Sequence, residues 1–264
     1  MARFAFCLAL LWAAFALLPG VRSGFAAESQ APVALVTGGG YAPFTGRNLP
    51  GGGMFTKIVR AIYAEMTREV AVSFRPWRRG YMETRDGTFA ATFPYIYTSE
   101  RAAAFHYSKP VWHSRQRLMV MADSPLQAKT VADLAGHGYC NPLGYTTRRG
   151  LEGLHEAGKL ERETPSRMQD CLRMLARDRV DFVPIGILQG RVMARDILGD
   201  TGKVRFIDVD LPDDELHVLF PRNDPKGAAA RDRFDAALKR LRARGDIDAI
   251  VRDYLTAQDL LATN

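Results

Sequence analysis

Cysteine is sparse, and the chain has none of the spacings that organise a metal or a redox centre. Three cysteines occur in 264 residues, Cys7, Cys140 and Cys171, and no two form a Cys-x-x-Cys pair. The five histidines, His106, His113, His137, His155 and His217, make no His-x-x-x-His or His-Glu-x-x-His pattern. A resident metal is therefore not expected. No Gly-x-Ser-x-Gly elbow is present to present a serine nucleophile. The glycine triplets at 38–40 and 51–53 come without a Walker lysine and without a Gly-x-Gly-x-x-Gly pattern, which argues against a phosphate cradle. After the N-terminus no stretch approaches the ~18 consecutive apolar residues of a membrane span. Nor do basic residues gather on one element among stacking aromatics. The densest patch, Arg75-Pro76-Trp77-Arg78-Arg79, stands alone, so nucleic acid is not an expected partner.

What the N-terminus does have is one positive charge, Arg3, an apolar run from Phe4 to Leu18, Pro19-Gly20, and small residues around Gly24, Ala26 and Ala27. This pattern predicts a secretory signal peptide over residues 1–26, with cleavage after Ala26 or Ala27. Cys7 lies inside the hydrophobic region, too early to become a lipid-anchored first residue. Cleavage removes Arg3 and Arg22 and no acid, so 36 Lys and Arg fall to 34 against 29 Asp and Glu, a net charge of +5. That balance favours anionic ligands or surfaces. Hydrophobic residues make up 47% of the chain, enough for the packed core of one large domain or two small ones. In an oxidising compartment the two remaining cysteines, Cys140 and Cys171, are expected to form one disulfide, the alternative being two buried free thiols.

The stretch Phe93-Pro94-Tyr95-Ile96-Tyr97-Thr98-Ser99-Glu100-Arg101 ends an apolar run in a polar cluster with one arginine. A buried strand delivers a guanidinium to the mouth of a cleft in this way. A guanidinium grips a carboxylate through two donors at once, so Arg101 beside Thr98, Ser99 and aromatic residues suggests a small anionic or zwitterionic ligand. The alternative is a solvated surface arginine at a helix start.

Earlier in the chain, Val33 to Thr37 reads as a buried strand stopped by Gly38-Gly39-Gly40, with Tyr41 just past its end. Loops in that position commonly face a ligand crevice; the alternative is that Tyr41 packs its own loop. Phe55, Ile58, Val59, Ile62, Tyr63 and Met66 fall on one face of a helix. Val70 to Phe74 is the next strand, and strand, helix, strand implies a parallel βαβ unit. Trp77 follows that second strand.

In order, these segments are Tyr41-Ala-Pro-Phe44, Pro76-Trp77-x-Arg79-Gly80, Phe93-Pro94-Tyr95-x-x-Thr98-x-Glu100-Arg101 and Phe105-x-Tyr107-Ser108-x-Pro110. Together they resemble the first lobe of a family 3 periplasmic solute-binding protein, the polar-amino-acid type of ABC transporters, in the branch with a Pro-Trp-x-Arg motif. The likeness runs on through the chain. Thr130 and Asp133 read as a capping box, Asn141 to Thr147 resembles the family's second ligand loop, and Ser166 to Gln169 reads as a second capping box. That box opens a helix burying Met168, Cys171, Leu172 and Leu175. Val180 to Ile185, Val204 to Val209 and Leu216 to Phe220 read as strands. Two helices close the chain, the first ending at Gly245 and the second capped by Asp246.

The resemblance implies an α/β fold, periplasmic binding protein-like of type II, with two α/β lobes joined by two hinge strands near Arg117 and Val218. Lobe one would comprise residues 28–115 and 216–264, and lobe two residues 116–215. It implies a ligand set of Tyr41 and Trp77 as aromatic walls, Arg101 on a carboxylate, and Tyr145 and Thr146 from the second lobe, with Phe93 and Tyr95 forming an apolar wall. Where amino-acid receptors place an acid for the α-ammonium this chain has Gly186, with Glu83, Asp181 or Glu215 as other sources of an acid. The implied function is capture of a small carboxylate-bearing solute in the periplasm and its delivery to the membrane permease of an ABC transporter, by a monomer with no cofactor and no catalytic step. The alternatives are a dehydratase-like periplasmic enzyme, disfavoured by Gly186, and a sensory or accessory module. The acidic run Asp213-Asp214-Glu215 is expected to be a solvated turn.

Overall fold

Val33–Thr37 forms β1, an apolar strand whose last three residues are buried. The computed structural model describes residues 31–143, 145 and 147–260, so the expected signal peptide and Thr146 lie outside the described residues. The apolar stripe read from the sequence becomes α1, Met54–Glu65, and β2 follows at Val70–Phe74. Then come α2 (Trp77–Arg85), β3 (Ala91–Tyr95), α3 (Ser99–Ala104), β4 (Phe105–Tyr107) and β5 (Trp112–Ser114). β1 pairs in parallel with both β2 and β3, as expected of crossover connections.

At Arg115 the chain leaves this sheet and enters another through β6, Gln116–Met121. The second lobe continues with β7 (Gly138–Cys140), α4 (Glu152–Glu156), β8 (Glu161–Glu163), α5 (Met168–Leu175), β9 (Val183–Gly186), α6 (Ile187–Leu198) and β10 (Val204–Ile207). β10, β6 and β9 form an antiparallel sheet, and β7 with β8 a small parallel one. The return strand β11, Asp214–Pro221, lies between β3 and β4 and also pairs with β5. Two helices, α7 (Gly227–Arg244) and α8 (Asp246–Ala257), complete the first lobe. The fold is thus two α/β lobes joined by two crossings. The outward crossing is two residues before Arg117, and β11 begins four residues before Val218. No helix among the described residues is long and apolar enough to cross a membrane.

Strand alternation divides the cores. On β11, Leu216, Val218 and Phe220 face α1, α7 and α8, whereas Leu219 faces Tyr95 and Phe105 on the opposite side. On β6, Leu118 and Val120 point to one core of the second lobe and Met119 to the other. Each fully buried side chain of this size contributes about 1.5–3 kcal/mol by leaving water.

Caps follow the sequence less closely than cores. Thr130 and Asp133 make the expected capping box, around a single turn of 3₁₀ helix. α5 buries the four expected residues, but its N-cap is Arg167 rather than Ser166, and Arg167 forks onto Asp170 through bonds of 3.0 and 3.1 Å. Likewise Gly245, at φ +78°, caps both α7 and α8, so Asp246 is the first helical residue. A left-handed glycine satisfies the end of one helix and redirects the chain into the next.

Candidate ligand-binding cleft

The loop after β1 is held by Tyr41, whose amide donates to Thr45 O at 3.1 Å. Its ring lies 4.9 Å from Phe44 and meets Trp77 edge-on at 6.2 Å. Trp77, half-buried, opens α2 after its N-cap Pro76. Its indole lies flat over Gly38, where an added Cβ would fall 2.0 Å from Cε2, and its Nε1 donates to Gly39 O at 3.2 Å. The indole in turn meets Tyr95 edge-on at 5.7 Å, and the Arg101 guanidinium sits 5.4 Å from the centre of the Tyr95 ring. Burial pushes the Tyr95 hydroxyl up to about 12. The structure therefore brings four expected residues into one row: Tyr41, Trp77, Tyr95 and Arg101.

Arg101 is oriented by its own segment. Thr98 caps α3 by accepting the Arg101 amide at 3.2 Å, and Arg101 Nη1 donates to Ile96 O at 3.3 Å. The Tyr107 hydroxyl donates to the same carbonyl and accepts the Thr98 amide, each at 3.2 Å. Nε and Nη2 of Arg101 meet no protein acceptor among the described residues.

Phe93 is the correction. Its side chain is fully buried and stacks on Phe55 at 5.8 Å, within the core between the sheet and α1. Phe93 and Tyr95 are two apart and would share a face in a regular strand. The pairing of β3 with β11 slips by one residue between Thr92 and Tyr95, a bulge that turns Tyr95 to the other side. Tyr97 is 62% exposed, its ring 5.1 Å from Tyr107.

From the second lobe, the loop after β7 carries Tyr145, 44% exposed. Arg162 on β8 pins this loop, donating to Thr147 Oγ1 and to the carbonyls of Asn141 and Tyr145, all at 3.4 Å. A disulfide between Cys140 and Cys171, as expected, ties the base of the loop to α5 with Cα atoms 5.4 Å apart.

Gly186 is crowded, and a side chain there would have to displace the Ser114 hydroxyl. A Cβ there would approach Ser114 Oγ to 2.7 Å and Gln116 Nε2 to 3.4 Å. The three other candidate acids are occupied elsewhere: Glu83 by Arg79 at 2.7 Å, Asp181 by the Gly138 amide at 2.7 Å and His137 at 3.2 Å, and Glu215 is 53% exposed beside His113. The acid that does reach the cleft is Asp214, only 8% exposed and ion-paired with Arg148 from the loop carrying Tyr145. Burial raises the Tyr41 hydroxyl well above its usual range, and the Asp214 charge adds to that rise while Arg148 opposes it. The solvated turn expected for residues 213–215 is thus wrong for Asp214. Asp213 is also engaged, accepting the Gln116 amide at 3.1 Å. The pair joins residues 66 positions apart, a contact that no local pattern announces.

The family model described as "Bacterial extracellular solute-binding proteins, family 3" matches residues 33–257. No curated protein matches the chain by sequence. Among solved structures, a histidine kinase sensor domain described as similar to periplasmic binding proteins aligns with TM-score 0.68 and 21% identity, over 86% of this chain and 97% of that one. The amino acid ABC transporter substrate-binding protein AbpA from Streptococcus pneumoniae, bound to L-arginine, aligns with TM-score 0.68 and 17% identity over 87% and 96%. The GluR0 ligand-binding core from Nostoc punctiforme, in complex with L-glutamate, aligns with TM-score 0.66 and 19% identity over 84% and 99%. These likenesses identify the periplasmic binding protein-like fold of type II, and the family match covers both lobes and both crossings. The chain belongs to the bacterial extracellular solute-binding proteins, family 3.

Proposed function

We propose that this protein is exported to the periplasm, loses residues 1–26, and as a monomer captures a small carboxylate-bearing solute, an amino acid or related organic acid, for an ABC transporter permease. The lobes would be residues 28–115 with 216–264, and residues 116–215. The observation that carries this reading is Arg101, half-buried at the end of the Tyr41, Trp77 and Tyr95 row with two guanidinium nitrogens left for a ligand. A guanidinium so held is prepared for a carboxylate, and the rings offer broad faces for an apolar body. Structural neighbours crystallised with L-arginine and L-glutamate agree with a ligand of this class. Tyr145 and Thr146 would close on the ligand from the second lobe, burying it between the lobes. No bond is made or broken.

Arg101→Ala is expected to abolish carboxylate binding in calorimetry while leaving the melting temperature of the ligand-free protein within a few degrees. Retained affinity would refute the assignment.

A further inference from the structure

Arg148 is a second guanidinium near the cleft, partly buried like Arg101, and its surroundings differ from those of an ordinary ion pair. Its side chain is 18% exposed and that of its partner Asp214 10%. Only Nη1 is engaged, on Asp214 Oδ2. Nε and Nη2 have no acceptor among the described residues, yet neither is among the nitrogens sealed from solvent without a partner. These donors therefore keep some access to solvent. Asp214 fixes the guanidinium rather than consuming it, since a carboxylate on one nitrogen leaves the other edge of the fork free. The backbone behind the pair is fixed as well: Asp214 pairs with Ser114 across β5 and β11, and Arg149 Nη2 donates to Asp213 O at 3.1 Å.

Position gives this fork its meaning. The row of rings has Arg101 over Tyr95 at one end. Arg148 belongs to the loop that carries Tyr145, and its partner Asp214 opens β11 opposite Ser114, on the strand whose His217 pairs with Tyr95; the charges of the pair also act on Tyr41. Arg101 thus stands over the row from the first lobe, and Arg148 from the second lobe is fixed at the start of the strand that pairs with Tyr95, each guanidinium with unused donors.

We propose that Arg148, oriented by Asp214, is a second anion anchor, and that the cleft takes solutes bearing two carboxylates separated by an apolar or planar middle. This rests on the solute-binding reading and narrows its ligand class. Arg101 holds one carboxylate against the first lobe, Arg148 draws the other to the second lobe, and the ligand's length bridges the lobes as they close. Asp214 balances one of the two positive charges, so an acidic amino acid, whose ammonium would offset that carboxylate, belongs to the same class.

The test uses calorimetry on the exported protein with two matched pairs, glutarate against butyrate and terephthalate against benzoate. The wild type is expected to prefer at least one diacid over its monoacid by about tenfold or more, the scale of one charge-assisted hydrogen bond. Arg148→Ala is expected to remove that preference, whereas Arg101→Ala removes binding of diacid and monoacid alike. Arg148→Lys keeps the charge without the fork, and serves if the alanine variant fails to fold. It should lose most of the preference at an unchanged melting temperature. Equal binding of diacid and monoacid by the wild type, or full preference in either Arg148 variant, overturns the second anchor and leaves the solute-binding reading intact. Failure of every carboxylate to bind overturns both.

Discussion

Gly38→Ala is the sharpest probe of the aromatic row, because it adds a single methyl directly beneath the Trp77 ring. The new Cβ would lie 2.0 Å from Cε2, 2.1 Å from Cδ2 and 2.6 Å from Cζ2 of Trp77. Contact between carbon atoms is optimal at about 3.5–4.0 Å, so all three approaches are forbidden. These atoms belong to a rigid fused ring, not to the tip of a flexible chain, and so the indole must swing away as a unit. The backbone at Gly38 is not in the left-handed region, so alanine itself is tolerated and the effect is confined to Trp77. Losing the Nε1 bond to Gly39 and the edge contacts with Tyr41 and Tyr95 should cost about 1–3 kcal/mol, the usual range for overpacking. At about 2–4 °C per kcal/mol for a chain of this size, the melting temperature falls by several degrees without loss of the fold. Affinity for a ligand that stacks on the indole should fall about tenfold or more. Intrinsic fluorescence in a Trp112→Phe background reports Trp77 directly and should shift to the red as the ring enters water. An unchanged spectrum with unchanged affinity would show that the indole does not rest on Gly38 as described.

Two further predictions concern stability. Replacing Cys140 and Cys171 by alanine opens a cross-link between residues 31 apart and should cost about 3–4 kcal/mol in the chain-entropy model, read by denaturant titration; titration of two free thiols in the unreduced, denatured wild type would refute the bridge. Glu65 is held by Arg244 and Arg240, hydrogen bonds that lower its carboxyl from 4.5 to about 2. Its folded value is depressed, so its contribution is complete above pH 4.5 and lost as the pH falls towards 2. Glu65→Gln should therefore flatten the acid limb of the stability curve, and an unaltered limb would count against it.

Much of the scaffold was legible because it rests on periodicity. α1 and α5 bury the faces their apolar spacing implies, and β1 and β2 match the runs that end in Gly38 and Pro76. The row of Tyr41, Trp77, Tyr95 and Arg101 was legible too, since Tyr41, Trp77 and Tyr95 stand at or shortly after strand ends and Arg101 on the helix that follows β3. What stayed hidden depends on partners distant in sequence. The bulge that buries Phe93 and turns Tyr95 is set by pairing with β11, more than a hundred residues on. Asp214 sits in an acidic run that reads as solvated, and only the fold brings Arg148 to it. The missing acid at Gly186 was legible, but its crowding by Ser114 and Gln116 was not.

The placement of β11 has a consequence for how the chain comes to be folded at all. Residues 214–221 lie between β3 and β4, and α7 packs beyond them on α1. The sheet begun at Val33 thus remains without its inner strand until most of the polypeptide has been made. β1, β2 and β3 can pair early, but the pairing of β3 and β4 with β11 comes last, because contacts of such long sequence separation form late. The segment from β6 to β10 pairs only within itself, and its sheet is complete at Ile207, just before β11 begins. For a chain exported as proposed above, a first sheet that closes only with its last quarter leaves the polypeptide open for a channel to accept.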